Sequence, residues 1–287
     1  MKLHRVLVLA AAMTIALPVS VSLAKDAPAK VDPALAAAVA GDWRSPQDKA
    51  RDQYRHPVEA LTFWGIKPGM TVLEVQPGGG WWTEILAPYI KSTGGRYYST
   101  AADLANPELS ESSRKARADF EGRFAAKPEI YGTLNFVNWG ARSAPLPKET
   151  FDFILTARSI HGWMGTPGMV EKTFREFNVA LKPGGILAVE QHRANPGPQD
   201  PKAESGYVTE AYVIEQAKKA GFRLAASSEI NANPRDTKDH PFGVWTLPPA
   251  LRSTPEMSDK PDDPSFDHSK YLAIGESDRM TLRFVKR

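Results

Sequence analysis

The chain has 287 residues, 42% hydrophobic and 24% charged, with 36 bases against 33 acids and no cysteine. That length and hydrophobic content suit one sizeable α/β domain, and the near-balanced charge gives no basis for binding nucleic acid or an anionic membrane. Without cysteine there is no disulfide, no thiolate metal site and no lipid-modified N-terminal cysteine.

Lys2 and Arg5 precede an apolar run from Val6 to about Val21, and Ser22-Leu23-Ala24 forms a small-x-Ala cleavage pattern. Residues 1–24 therefore read as a signal peptide, with an uncleaved anchor as the alternative, and the mature protein is expected in the periplasm or outside the cell. Cleavage leaves 263 residues, with 34 bases against 33 acids and a net charge of +1. The run is short for a membrane span and no other stretch approaches one, so no membrane contact is expected after cleavage.

Residues 25–56 read as an N-terminal lead and helical segment. Pro33 to Ala40 suits a short alanine-rich helix stopped by Gly41, and Arg44 to Arg55 is strongly charged. The main domain is expected over 57–287. Pro57 opens a helix closed by Gly65, and Thr71 to Val75 is a β-branched strand carrying Glu74. Pro77-Gly78-Gly79-Gly80 then turns into a helix reaching about Lys91. Glycines there let a ligand lie against backbone, although a tight structural corner has the same appearance.

Further strands are expected at 96–100, 134–138, 151–155, 186–190, 223–230 and 279–285. Helices are expected at 107–127, from Thr166-Pro167 to Leu181, and from Thr209 to Gly221. Residues 231–265 form a Pro-rich loop, long enough to suggest a functional role. Alternating β and α elements imply a doubly wound, mainly parallel sheet with helices on both faces.

The strand with Glu74, the glycine turn, Phe151-Asp152-Phe153-Ile154-Leu155 and Leu181-Lys182-Pro183-Gly184-Gly185, in that order, resemble the class I S-adenosylmethionine-dependent methyltransferase core over about Val58 to Ile230. His56-Pro57-Val58-Glu59, Arg158-Ser159-Ile160-His161-Gly162-Trp163-Met164, Glu190-Gln191-His192-Arg193-Ala194 and Asp239-His240-Pro241 further resemble a group of exported bacterial proteins known as predicted methyltransferases. The resemblance implies a Rossmann-like α/β fold whose seven-stranded sheet carries its last strand antiparallel, between the fifth and sixth. It also implies S-adenosylmethionine as cofactor and a methyltransferase acting on a small molecule.

By the same resemblance, Glu74 helps hold the cofactor's amino group, while Gly78, Gly79 and Gly80 pack against its methionine and ribose. Gln76 stands where the pattern's first glycine falls. The ribose-binding acid falls at about Ala101, with Asp103 the nearest substitute, and the adenine-binding acid at about Gly140, beside Trp139. These departures keep open a second reading: an exported small-ligand-binding protein that catalyses nothing.

Glu74, Arg158, His161, Glu190, His192 and Arg193 all fall at or just beyond the carboxyl ends of expected strands, the rim where parallel sheets bind ligands. Methyl transfer needs positioning, plus a base where the nucleophile must lose a proton. His161 and His192 are the candidate bases, with a loop residue bonded to backbone as the alternative for each. Arg193 suits an acidic substrate group or a pairing with Glu190. His161, His192, His240 and Glu190 share no ligand spacing, so no metal is expected. Trp81, Trp82, Trp139 and Trp163 suit either stacking on a flat ligand or capping the core. There is no P-loop and no Gly-x-Ser-x-Gly elbow.

Overall fold

Each boundary of the N-terminal segment has a local cause in the computed structural model, which describes residues 31–255 and 260–287. The expected signal peptide lies outside the described residues. Asp32 accepts the Ala34 amide and Pro33 occupies the first turn of α1 (Pro33–Ala40). The charged stretch folds as two short helices, α2 (Pro46–Ala50), capped by Ser45, and α3 (Asp52–Arg55). His56, at φ +42°, separates α3 from α4 (Pro57–Trp64).

β1 (Thr71–Val75), α5 (Thr83–Ser92) and β2 (Arg96–Ala102) follow. The helix expected at 107–127 is shorter, because Ser110 caps α6 (Glu111–Ala125) and Pro128 starts a separate α7 (Pro128–Tyr131). Next come β3 (Asn135–Trp139) and β4 (Phe151–Ala157). α8 (Ile160–Met164) fills a stretch where no helix was expected, and α9 (Met169–Ala180) begins after Thr166-Pro167 instead of at it.

β5 (Leu181–His192) leads to α10 (Glu210–Lys219), capped by Thr209, and to β6 (Phe222–Ser228). The Pro-rich loop contains one 3-10 turn, Gly243–Thr246, and is followed by an unexpected α11 (Ser269–Ile274) and by β7 (Arg279–Lys286).

The seven strands form one sheet in the order β3-β2-β1-β4-β5-β7-β6. β7 runs antiparallel to both β5 and β6, and all other pairings are parallel, as the sequence led us to expect. Successive strand residues serve opposite faces. Leu187 and Val189 of β5 join the core built with Phe174 and Phe177 of α9, while Ile186 and Ala188 join the core that holds Leu61, Trp64, Ile85 and Leu86. The buried Trp64 indole donates to Leu282 O at 3.1 Å, tying the N-terminal helices to β7.

β1 lies between β2 and β4, so the chain leaves it in both directions across the sheet. A reversal of this kind opens a crevice beyond the carboxyl ends of the strands, where ligands bind.

Candidate functional site

The turn after β1 shows why its glycines are needed. Gly80 has φ +84°, and a Cβ there would lie 2.3 Å from Arg123 Nη2 and 2.9 Å from the buried Phe124 ring. Gly78 and Gly79 meet nothing within 4 Å, so their backbone faces open space. Gln76, in place of a glycine, takes φ +49°. Its amide N–H donates to Thr100 Oγ1 at 2.8 Å, and its Oε1 accepts the Trp163 indole at 2.7 Å. The extra side chain is therefore held by a partner on α8.

Glu74 is buried, and its Oε2 accepts the hydroxyls of Thr83 at 2.8 Å and Tyr97 at 2.5 Å. Burial pushes the carboxyl up to about 7, against the lowering effect of those two hydrogen bonds and of Arg158.

Two cavities flank the turn, and Gln76, Pro77 and Gly78 line both. The first, about 520 Å³, lies over β2 and β3. Asp103, the first residue beyond β2, opens its floor and accepts the Ala105 amide at 3.0 Å. Phe120, Phe136 and Trp139 give it apolar walls, with the Trp139 indole fixed on Glu176 at 3.1 Å. Gly140 donates its amide to Ser143 Oγ at 3.1 Å and also has no neighbour at its Cβ position. An apolar slot with bare backbone at two edges and an acid at the end of β2 suits a nucleoside.

The second cavity, about 410 Å³, lies over β1, β4 and β5, walled by Arg51 and Arg55 on one side and by Trp245 and Pro248 of the Pro-rich loop on another. Its centre is Glu276, which accepts Arg51 Nε at 2.7 Å, Arg55 Nε at 2.8 Å and Arg279 Nη1 at 2.9 Å. Burial alone would raise Glu276, but Arg55, Arg279, Arg51 and Arg158 hold it at about 2.

His161 and His192 face each other in this cavity, ring centroids 5.6 Å apart. Ile160 donates to Gln191 Oε1 at 3.1 Å, which fixes the Gln191 amide so that its NH2 group donates to Gly206 O and to His161 Nδ1, each at 3.1 Å. His161 Nδ1 is thus an acceptor, and its proton sits on Nε2. Burial pulls His161 down to about 4, and burial, His161 and three arginines hold His192 well below the ordinary histidine range. His192 Nδ1 is paired with Ser277 Oγ at 2.5 Å.

Arg193 needs correction. It lines neither cavity and does not pair with Glu190. Its guanidinium is bidentate to Glu229, at 2.8 and 2.7 Å, and to Asp278, at 3.1 and 2.9 Å. Glu190 pairs with Arg279 at 3.0 Å instead. His240 is engaged by Asp236 at 2.8 Å, and among the described residues no cluster suits a metal.

Arg51, Arg55, Gln191, Glu276 and Ser277 were not singled out from sequence. The available signal was the charged stretch ending at Arg55, whose Arg51 and Arg55 stand four residues apart and share one side of a helical path.

The sheet order, the glycine turn and the paired cavities define an α/β domain with a crevice suited to a nucleoside. Residues 73–189 match the family described as methyltransferase domain.

A curated relative is the ubiquinone/menaquinone biosynthesis C-methyltransferase of Shewanella woodyi, 28% identical over 125 residues. That match covers 44% of this chain and 43% of the relative, less than half of either. Solved structures of similar fold include a methyltransferase from Aquifex aeolicus, 22% identical over 65% of this chain and 88% of that one, with a TM-score of 0.48. Another, from Mesorhizobium loti, is 17% identical over 79% and 96%, with a TM-score of 0.44.

The matched domain implies S-adenosylmethionine as cofactor. The first cavity fits its nucleoside on the geometry above: open space at the Cβ positions of Gly78 and Gly140, and Asp103 in place of the missing acid at Ala101.

Proposed function

We propose that the protein is an exported S-adenosylmethionine-dependent methyltransferase acting on a small molecule. The observation that carries this reading is the meeting of two cavities at Gln76-Pro77-Gly78, one suited to a nucleoside and the other polar and small. A volume of about 410 Å³ lies within the range of small-molecule sites. The charged start, apolar run and small-x-Ala pattern of residues 1–24 support export.

When bound, the cofactor supplies a methyl group on a sulfonium. Asp103 and the backbone at Gly78 and Gly140 would hold the nucleoside, and Trp163 fixes the Gln76 side chain at the turn that lines both cavities. Glu74, with its carboxyl raised to about 7, ionises readily beside a cationic amino group. The second cavity, which Glu74 and Gly79 also line, would take the cofactor's methionine end together with the acceptor. His161 offers it the Nε2–H as a donor, and His192, neutral at physiological pH, offers a ring nitrogen as proton acceptor when its Nδ1–H is given to Ser277.

Calorimetric titration of the mature protein with adenosylmethionine and adenosylhomocysteine tests the reading. Micromolar affinity for both is expected; no heat up to millimolar ligand overturns it in favour of a fold kept for another ligand. N-terminal sequencing of protein from the periplasmic fraction should begin at Lys25, and a chain starting at Met1 in the cytosol would overturn export.

A further inference from the structure

We propose that the acceptor's body lies in a third cavity, walled by the Pro-rich loop, and that this body is a neutral, flat aromatic ring whose oxygen reaches His161. Calling the occupant an acceptor rests on the methyltransferase reading; the chemistry of the ring site rests on the cavity alone.

This third cavity, about 770 Å³, is bounded by α8, the 202–205 turn and the Pro-rich loop. His161 and Trp245 line it and the second cavity alike, so the two spaces meet at these rings, which stand edge to face with centroids 5.8 Å apart. Glu74 and the glycine turn line no part of it. The second cavity, about 410 Å³, has the cofactor's methionine end to accommodate as well, which leaves room there for the acceptor's reacting end and not for a large body.

Close backbone packing sets the wall that carries Trp245. Gly206 has φ +80°, and a Cβ there would lie 2.4 Å from Val244 Cγ2 and 3.3 Å from the Trp245 ring. Gly243 has φ +57°, and a Cβ there would lie 2.2 Å from Ser205 O. The Val244 amide donates to Ser205 O at 2.9 Å, and Gly206 O accepts the same Gln191 amide group that fixes His161. Two glycines thus let the Pro-rich loop and the 202–205 turn lock together, so Trp245 and His161 are held by one connected frame.

The lining selects the ligand. Trp245 and Phe242 supply aromatic surface, with Phe242 backed by Phe266 at 5.9 Å, and Gly162 and Gly165 leave bare backbone for a flat ring to lie against. Charge in the cavity is internally matched: Lys202 stands 3.9 Å from Glu204, and His240 is bonded to Asp236 at 2.8 Å. A neutral body is therefore favoured over an ion. His161 is neutral with its proton on Nε2, and that N–H meets no acceptor among the described residues. One unused donor where the cavities join suits a hydroxyl or carbonyl oxygen.

The test is calorimetric titration with 2-naphthol, with saturating adenosylhomocysteine present to fill the nucleoside cavity. Micromolar binding is expected, and 2-naphthoate, which keeps the ring and adds a charge, should bind at least ten-fold more weakly. Gly162 and Gly165 line neither of the other two cavities. A Cβ at Gly162 meets nothing within 4 Å and one at Gly165 meets only Gly162 O at 3.6 Å, so Gly162→Leu and Gly165→Leu should fold with unchanged melting temperatures. Each should weaken 2-naphthol at least ten-fold and leave adenosylhomocysteine within two-fold. On the native protein, nuclear Overhauser contacts should join 2-naphthol to the Trp245 indole.

Binding of 2-naphthoate as tight as that of 2-naphthol overturns the neutral ring. Native affinity for 2-naphthol in folded leucine variants, or the absence of contacts to Trp245, overturns the ring site, and so does a native protein that binds no 2-naphthol. Failure of adenosylhomocysteine to bind the native protein sinks the methyltransferase reading, while the 2-naphthol measurements made without nucleoside still decide the ring site.

Discussion

Tyr97 donates its hydroxyl to Glu74 Oε2 at 2.5 Å, with both side chains buried beneath the turn that joins β1 to α5. The carboxyl is raised from 4.5 to about 7, so the folded protein holds this proton more tightly than the unfolded chain does. This group's favourable contribution is therefore fully present below pH 4.5 and is lost as the pH rises towards 7.

Glu74→Gln keeps an oxygen for Tyr97 and removes that loss. The variant should gain up to about 3 kcal/mol relative to the native protein at pH 8 and nothing at pH 4.5. Thermal melts at the two pH values check this, and a variant no more stable at pH 8 would contradict the buried-carboxyl account.

Neighbouring glycines of the turn should behave differently. Gly80→Ala must take a φ of +84° and push into Arg123 and Phe124, at a cost of about 1–3 kcal/mol in a denaturant melt. Gly79 has an ordinary φ and open space, so Gly79→Arg should fold with an unchanged melting temperature. It should also weaken adenosylhomocysteine at least a hundred-fold in calorimetry, because Gly79 lines the second cavity and a long charged side chain there would crowd the ligand. Unchanged affinity would remove the turn from the site.

The Gln191 amide sets the His161 tautomer, which nitrogen-15 NMR can read directly. Between pH 6 and 8 the ring should be neutral with its proton on Nε2, and it should titrate only near 4. Gln191→Leu should release the tautomer while leaving the ring buried. A His161 that titrates near 6.5 in the native protein would contradict the arrangement.

Arg193 joins the end of β5 to Glu229 and Asp278 without lining either cavity. Arg193→Gln should therefore lower stability by about 1–3 kcal/mol, moderated by Lys238, which also reaches Asp278 at 2.8 Å. Adenosylhomocysteine affinity should stay within two-fold of native, and a ten-fold loss would return Arg193 to the site.

The legible parts of this chain were those governed by local chemistry. Pro33, Pro57 and Thr209 open helices, and Gly41, Gly65 and the 77–80 turn end or redirect elements, because caps and positive φ depend on only a few neighbouring residues. α8 and α11 escaped because five- and six-residue helices carry too few turns for an apolar period to show.

Arg193 and Arg55 show the same limit at the site. Both are arginines in charged sequence, one beside a strand end and one in an N-terminal helix. Which of them is fully matched by carboxylates and which keeps two bare nitrogens depends on Glu229, Asp278 and Glu276, all distant in the chain.

The sequence by itself determined the order of the strands and the longer helices and the position of the glycine turn, since these follow from periodicity and backbone stereochemistry over short spans. Only the tertiary structure decided that Trp163 holds Gln76 in place, that Gln191 sets the His161 tautomer, and that Glu276 gathers arginines from the N-terminal helices and β7 around a second cavity. Burial, and the charge balance that burial enforces, are properties of residues brought together from more than two hundred positions apart.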